Sequence, residues 1–111
     1  MADPAERAIT GMLVLMAQQG DRAALERLAA RWRPRHYAHA RRLLGRAEGA
    51  ADAVQEGWAG IIRGLARLRE PEQFPSWSYA IITRRCQDGM RRKGREPPSV
   101  SDIDLPDTTT S

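Results

Sequence analysis

The segment Val54-Gln55-Glu56-Gly57-Trp58-Ala59-Gly60-Ile61-Ile62-Arg63-Gly64-Leu65 decides the fold, because its apolar residues repeat at one helical period. Large apolar side chains recur at intervals of four, three, four and three, at Val54, Trp58, Ile61, Leu65 and Leu68. This spacing predicts an amphipathic helix over about residues 47–68. Its glycines each cost a helix about 1 kcal/mol relative to alanine, so we expect a neighbouring element to pack closely against them.

A first helix is predicted near the beginning of the chain. It opens at Asp3-Pro4-Ala5-Glu6, where Asp3 is the N-cap, proline is the first helical residue and Glu6 bonds back to the cap. Gly20 is placed to end it. Its predicted apolar stripe is Ile9, Met12, Leu13 and Met16.

The second helix is predicted to begin after the N-cap Asp21 and to stop at Gly45. Pro34 lies in its middle, where it removes a backbone donor and crowds the carbonyl of Ala30. A kink is favoured over a break, because apolar spacing resumes beyond the proline. The predicted core stripe is Leu25, Leu28, Ala29, Trp32, Ala40, Leu43 and Leu44.

The fourth helix is predicted over about residues 75–93, after a proline-punctuated loop at 70–75. No period-two alternation indicates a strand. The expected fold is therefore all-α, a compact bundle of four helices with a kinked second helix, in one domain over residues 1–95. Residues 96–111 have no apolar period, which predicts a disordered acidic linker or tail. The core residues predicted for the fourth helix are Trp77, Ile81, Ile82, Cys86 and Met90.

Charge is distributed unevenly along the 111 residues. Residues 1–95 hold all 18 Lys and Arg against 10 acids, a net charge of +8, and residues 96–111 add four acids and no cation. Such a body favours a polyanion, and nucleic acid is expected rather than a membrane because apolar residues are too sparse for insertion. Cys86 has no partner for a disulfide or a metal cage, and no leader is indicated, so a reducing cytoplasm is expected.

Aromatic residues lie at the near end of the predicted fourth helix and cations at its far end. Rings accept unstacked bases and guanidinium groups accept phosphates, so this order is typical of a single-strand binder. A solvated helix end is the alternative, since cations also complement the helix dipole. The basic second helix would extend the same face if it packs beside the fourth. The residues are Trp77, Tyr79, Arg84, Arg85, Arg91, Arg92, Lys93 and Arg95.

An acidic patch is predicted on the third helix. Asp52, Gln55 and Glu56 are three and four residues apart, so they share the surface opposite the apolar stripe. The first half of a helix favours acids in any case. As a docking surface, the patch would suit a basic groove on a protein partner.

The order of these parts resembles the promoter-melting (region 2) domain of bacterial RNA polymerase sigma factors. Val54-Gln55-Glu56-Gly57 with Ile61-Ile62-Arg63 and Leu65 is similar to the helix by which these factors bind the clamp coiled coil of the polymerase. Phe74-Pro75-Ser76-Trp77-Ser78-Tyr79 with Arg91-Arg92 is similar to the element that reads the minus-ten promoter sequence, where one non-template base is flipped into a loop pocket. The likeness covers about residues 20–95.

The resemblance implies a domain that binds core RNA polymerase and recognises and melts the minus-ten element during transcription initiation. It implies polymerase contacts at Asp52, Gln55, Glu56 and Arg63. It implies contacts with the single non-template strand of promoter DNA at Gln73, Phe74, Ser76, Trp77, Tyr79, Arg84, Arg85, Arg91, Arg92, Lys93 and Arg95. An anti-sigma factor would be a further partner.

Three departures from the family pattern limit which properties of the family can be expected of this chain. Ala80 and Ile81 stand where housekeeping factors carry a tryptophan pair that wedges the duplex open, which favours the extracytoplasmic-function group. Arg84 stands where many of that group carry asparagine. No helix-turn-helix that reads the minus-thirty-five element follows the acidic tail, so either a cut-out domain or a naturally short variant is expected.

The sequence is also compatible with two other binding functions. The chain could be a sigma-like interaction module that occupies the polymerase clamp or an anti-sigma factor without initiating transcription. It could also be a stand-alone basic protein that binds duplex and single strands alike.

Catalysis is not expected from these residues. His36 and His39 are three residues apart, but neither follows a carboxylate at the Glu-x-x-His spacing of a helical metal site. No Ser-His-Asp order, glycine-rich phosphate loop or Cys-His pairing is present. We therefore expect neither a cofactor nor a metal.

Overall fold

The computed structural model describes residues 3–95, in which short connections join four helices and two short 3-10 turns. The all-α bundle is confirmed, and no strand occurs in these residues. The predicted tail, residues 96–111, lies outside them. The helices are α1 (Pro4–Gln18), α2 (Arg22–Leu44), α3 (Ala50–Gly64) and α4 (Phe74–Arg95), and the 3-10 turns are Leu65–Arg67 and Pro71–Gln73.

One tight turn ends α1 and begins α2. Gly20 adopts a φ of 96°, and its N–H donates to the carbonyl of Ala17 at 3.0 Å, while the N–H of Asp21 donates to that of Met16 at 3.1 Å. This pair of bonds is a Schellman motif, which satisfies carbonyls that the helix end leaves open. Asp21 Oδ1 then accepts from the Ala24 N–H at 3.1 Å, so both Gly20 and the Asp21 cap are confirmed.

The predicted start of α1 is right in position but wrong in its hydrogen bonds. Asp3 is the N-cap residue, yet its side chain makes no capping hydrogen bond. Glu6 reaches α2 instead, where it forms ion pairs with Arg31 and Arg35. Two guanidinium groups outcompete one backbone N–H for this carboxylate, and the hydrogen bond from Arg31 lowers the pKa of Glu6.

The apolar stripe predicted for α1 is wrong at three of its four residues, and only Leu13 is buried as predicted. Ile9, Met12 and Met16 are exposed, Met12 by 56%. The residues that α1 buries are Thr10, Leu13 and Val14.

α2 continues through Pro34 without a break, and Pro34 lies on the exposed side. The size of the predicted kink stays a prediction. Gly45, at a φ of 77°, ends the helix as expected. Leu43, which was predicted to be in the core, is exposed, and a histidine takes part in its place: the buried residues of α2 are Ala24, Leu28, Trp32, His36 and Ala40.

The core-facing stripe of α3 is confirmed, with Val54, Trp58, Ile61 and Leu65 buried. Its glycines allow α4 to come close. A Cβ atom at Gly57 would lie 2.4 Å from Ile82 Cδ1, and one at Gly64 would lie 3.0 Å from Trp77 Cζ2. The helix thus tolerates glycine because α4 occupies the space that a side chain would fill.

α4 begins at Phe74, one residue before its predicted start, and directly follows the turn Pro71–Gln73. Ile82 and Cys86 are buried as predicted, and Trp77 and Ile81 pack partly buried against the core. Met90 is exposed, so its predicted core position is wrong. Within residues 3–95, no helix combines the length and the apolarity that a bilayer crossing requires.

Candidate nucleic-acid and protein interface

The outer face of α3 is exposed as its pattern predicts. Asp52, Gln55 and Glu56 all lie on the surface, as does Arg63 near the end of the helix. Ile62 lies among them with 52% of its surface exposed. Spacings of three and four residues place four side chains on one stripe, the α3 outer face: Asp52, Gln55, Ala59 and Ile62.

Sequence reasoning did not single out Ile62 as a surface residue. A signal for it existed, because Ile61 and Ile62 are adjacent and a helix turns by about 100° per residue. Only one of two neighbouring isoleucines can face the core. Ile61 is buried there, so Ile62 must face outward.

The turn before α4 and its first residues divide into exposed and buried positions. Gln73 and Ser76 are exposed, and Ser76 Oγ donates to the Gln73 carbonyl at 3.3 Å. Phe74 has no exposed surface and packs edge-on against Trp32 at 5.8 Å between ring centroids. We therefore remove Phe74 from the predicted DNA contacts, because a side chain inside the core supports the turn from beneath.

Trp77 and Tyr79 are half-buried on opposite flanks of α4. Trp77 lies against Gly64 of α3 and has its ring 6.1 Å from that of Phe74. Tyr79 packs perpendicular to His36 of α2 at 5.1 Å and also against His39 at 4.9 Å. Neither ring is a free platform, and each leaves only part of its surface to solvent.

The cations of α4 fall into two groups. Arg84 and Arg91 are exposed and share a line with Ser76 and Ala80, at spacings of four, four and seven residues. We call these four residues the α4 outer line. Arg85 and Arg92 lean toward α3: Arg85 lies close to Gly60, and Arg92 Nη2 lies 3.9 Å from Glu56 Oε1.

Asp88 partly neutralises the basic end of α4. It pairs with Arg85 at 3.5 Å and with Arg91. Asp88 is half-buried, but solvent still reaches both pairs, and surface pairs contribute about 0–1 kcal/mol, so a phosphate can replace the carboxylate. Lys93 is half-buried, and Arg95 is the last residue of the helix.

α2 packs beside α4, as the combined basic face requires. His36 Nε2 lies 2.9 Å from Ser78 Oγ, and His39 Nε2 lies 2.8 Å from Thr83 Oγ1. Arg35, however, is held over the Trp32 ring at 4.6 Å and pairs with Glu6 of α1. Part of the positive charge of α2 is therefore already paired with a carboxylate of α1.

The two histidines of α2 are shifted toward the neutral form. Burial lowers the pKa of His36 to about 4, and His39 acts in the same direction. Burial also lowers the pKa of His39, with a further contribution from Arg42. Across residues 3–95, no three His, Cys, Asp or Glu side chains are grouped so that they could share a metal ion.

Comparison with known proteins identifies the family of this chain. The model of the Sigma-70 region 2 family matches residues 28–96, and the chain belongs to that family. The predicted resemblance is thereby confirmed. The match spans α3, the turn before α4 and α4 itself, which carry every predicted site residue.

Three relatives carry sigma-factor names. An RNA polymerase sigma-H factor from Pseudomonas aeruginosa is 28% identical over 95 residues, which cover 86% of this chain and 49% of that protein. An ECF RNA polymerase sigma-E factor from Haemophilus influenzae is 28% identical over 95 residues, 86% of this chain and 50% of that protein. A probable RNA polymerase sigma factor from the same species is 31% identical over 68 residues, 61% of this chain and 34% of that protein. The chain thus spans half or less of the length of these relatives.

Proposed function

We propose that this chain acts as the region 2 domain of an extracytoplasmic-function sigma factor, which binds core RNA polymerase and recognises and melts the minus-ten promoter element. The match to the Sigma-70 region 2 family over residues 28–96 carries the proposal. Both candidate surfaces lie within that range. The site of action would be the cytoplasm, and an anti-sigma factor would compete for the same domain.

The α3 outer face, together with the exposed Glu56 and Arg63 beside it, would bind the polymerase clamp. Gln55 and Glu56 offer an amide and a carboxylate to a basic partner, and Arg63 adds one cation near the helix end. The half-exposed Ile62 supplies an apolar centre within this polar surround. An apolar centre with a polar rim is the usual composition of a protein interface.

The turn before α4, the α4 outer line and the cations beside that line would bind the separated strand. Gln73 and Ser76 present hydrogen-bonding groups to the edge of a flipped base, while Trp77 and Tyr79 flank that position. Base–aromatic stacking contributes about 1–3 kcal/mol per base on an open ring, and the solvent-facing part of Trp77 or Tyr79 would supply a share of it toward the cost of unstacking. The remaining contacts would be made to phosphates by Arg84, Arg85, Arg91, Arg92, Lys93 and Arg95.

The docking surface is tested by replacing Gln55 and Glu56 together with alanine. We expect this variant to lose capture by core RNA polymerase while its circular-dichroism spectrum stays helical, because both side chains are exposed. Gln19→Ala with Glu26→Ala is the matched control, since it removes an exposed glutamine and an exposed glutamate elsewhere. Equal capture of both variants would contradict the docking surface.

The strand-binding surface is tested by replacing Arg91 and Arg92 with alanine. The slope of log affinity against log salt for single-stranded DNA should fall by about 0.7 for each phosphate that the variant no longer binds. Arg22→Ala with Arg27→Ala removes two exposed arginines of α2 and should leave the slope nearly unchanged. An unaltered slope in the Arg91 and Arg92 variant would exclude them as phosphate contacts.

A run-off assay with core polymerase and a library of genomic fragments separates initiation from simple occupancy of the clamp. Defined transcripts that depend on this chain would support initiation. Binding to the polymerase without any transcript would contradict it and favour the interaction module.

A further inference from the structure

A chain of buried hydrogen bonds joins α3, α2 and the first turn of α4. Trp58 Nε1 lies 2.9 Å from His36 Nδ1, and His36 Nε2 lies 2.9 Å from Ser78 Oγ. Ser78 Oγ lies 3.0 Å from the carbonyl oxygen of Pro75. His36 and Ser78 have no exposed surface, so water does not compete for these groups.

The chemistry of the donors fixes the direction of each bond. An indole N–H only donates, so His36 Nδ1 accepts the bond from Trp58 and carries no proton. The proton of the neutral imidazole is then on Nε2, which donates to Ser78 Oγ. The Ser78 hydroxyl donates in turn to the Pro75 carbonyl. All three bonds therefore run from α3 toward the first turn of α4.

Ring packing also holds the imidazole of His36 in place, but it orients α4 less strictly than the hydrogen bond to Ser78 does. The His36 ring centroid lies 5.1 Å from that of Tyr79, 5.7 Å from that of Trp58 and 5.9 Å from that of Trp32. Packed rings resist translation, whereas a hydrogen bond also depends steeply on angle. The bond from His36 to Ser78 thus limits rotation of the first turn of α4.

The chain of bonds ends at the segment that would read a base. Pro75 lies between Gln73 and Ser76, whose side chains are exposed. We propose that His36 is a positioning residue, whose bonds to Trp58 and Ser78 set the rotation of the first turn of α4, so that Ser76 and the adjoining Gln73 face a flipped base. The inference rests on the proposed function, because it assigns His36 to the base-reading step.

The neighbouring histidine provides a matched control. His39 bonds to Thr83 between the same two helices, in a half-buried position farther along α4. Ser78→Ala and Thr83→Val therefore each remove one bond between a histidine and a hydroxyl. Only the first variant interrupts the chain of bonds that leads to Pro75.

Two measurements on these variants test the proposal. The first is hydrogen exchange at the amide of Tyr79, which in an α-helix donates to the carbonyl of Pro75. The second is selection from a random single-stranded DNA library by the chain assembled with core RNA polymerase. We expect Ser78→Ala to speed exchange at Tyr79 by roughly tenfold and to flatten the base preference at one position. Thr83→Val should do neither, whatever its effect on Tm.

Unchanged exchange at Tyr79 in Ser78→Ala, or equal acceleration in Thr83→Val, would overturn the proposal. A wild-type chain that selects no sequence would contradict the proposed function instead, and the exchange rates would still decide whether His36 positions this turn.

If Ser78→Ala does not fold, Trp58→Phe removes the donor at the other end of the hydrogen-bond chain. The single tautomer of His36 should then disappear from its imidazole nitrogen NMR spectrum, and exchange at Tyr79 should again accelerate. A spectrum and an exchange rate that both match the wild type would overturn the proposal.

Discussion

His36 is a side chain whose hydrogen bonds and burial favour the same protonation state. Its Nδ1 accepts a bond from Trp58, which is possible only for the neutral ring. Burial removes the hydration that would stabilise the imidazolium, so the pKa falls to about 4. The folded protein therefore resists protonation of a residue that ordinarily titrates near neutrality.

Because the pKa of His36 is lower in the folded than in the unfolded chain, the stability of the protein should fall in mild acid. Between pH 6.5 and about 4, the unfolded chain binds a proton at His36 and the folded chain does not. The free energy of unfolding therefore declines as the pH falls. At about 1.4 kcal/mol per pKa unit, the contribution of His36 to this decline is at most roughly 3.5 kcal/mol. Urea unfolding at several pH values measures it.

His39 contributes to the same decline, since its pKa is also lowered, and the variant His39→Gln removes that contribution. The decline in that variant should persist down to the range where carboxylates begin to titrate. An NMR titration that places the pKa of His36 near 6.5 in the folded protein would contradict this account.

Single residues also show what the sequence could and could not predict about the site. The exposure of Gln55 and Glu56 followed from their distance to one clear stripe. Phe74 was ambiguous, because an aromatic residue beside prolines fits both a pocket and a core. The buried role of His36 depended on Trp58 and Ser78 meeting it from two other helices, which no local pattern encodes.

At the scale of elements, helices with a single apolar stripe were predictable and α1 was not. In α3, polar residues and glycines lie between most of the large apolar residues, so only one face of the helix could be buried. In α1 the run from Met12 to Ala17 is continuous, and two overlapping stripes compete. The contact with α2 selects the face with Leu13 and Val14, and that choice depends on tertiary packing.

The close approach of α3 and α4 gives a prediction at this scale. In Gly57→Ala the new Cβ would lie 2.4 Å from Ile82 Cδ1, within a fully buried contact. Overpacking costs about 1–3 kcal/mol, which exceeds the helix-propensity gain of about 1 kcal/mol. We expect a net destabilisation of about 1 kcal/mol in chemical denaturation.

Ile82→Val removes the clashing methyl group, so Gly57→Ala in that background should be neutral or stabilising. Gly60→Ala is the control within α3, because its Cβ would meet Ile81 Cγ2 at an ordinary 3.7 Å. It should raise stability by up to about 1 kcal/mol. Additive effects in the double-mutant cycle would show that Ile82 does not limit this contact.

At the scale of the whole molecule, the two proposed surfaces meet along the seam between α3 and α4. Glu56 belongs to the proposed docking surface and lies 3.9 Å from Arg92 of the proposed strand-binding surface. Arg63 and Arg85 approach each other over Gly60 on the same seam. The charge of Arg92 is therefore partly neutralised by a carboxylate that a basic partner would engage.

The shared border predicts that Glu56→Gln changes the two binding functions in opposite directions. Removing the carboxylate should weaken capture by core polymerase but frees Arg92, so the isolated chain should bind single-stranded DNA more tightly. An exposed ion pair is worth up to about 1 kcal/mol, which limits the gain to roughly fivefold at low salt. Fluorescence anisotropy with a labelled oligonucleotide measures this gain.

Glu48→Gln is the control, because Glu48 also lies 3.9 Å from an arginine, Arg46, and the substitution removes the same net charge. An equal gain in both variants would mean that net charge alone is responsible, whereas a gain confined to Glu56→Gln would locate the effect at Arg92.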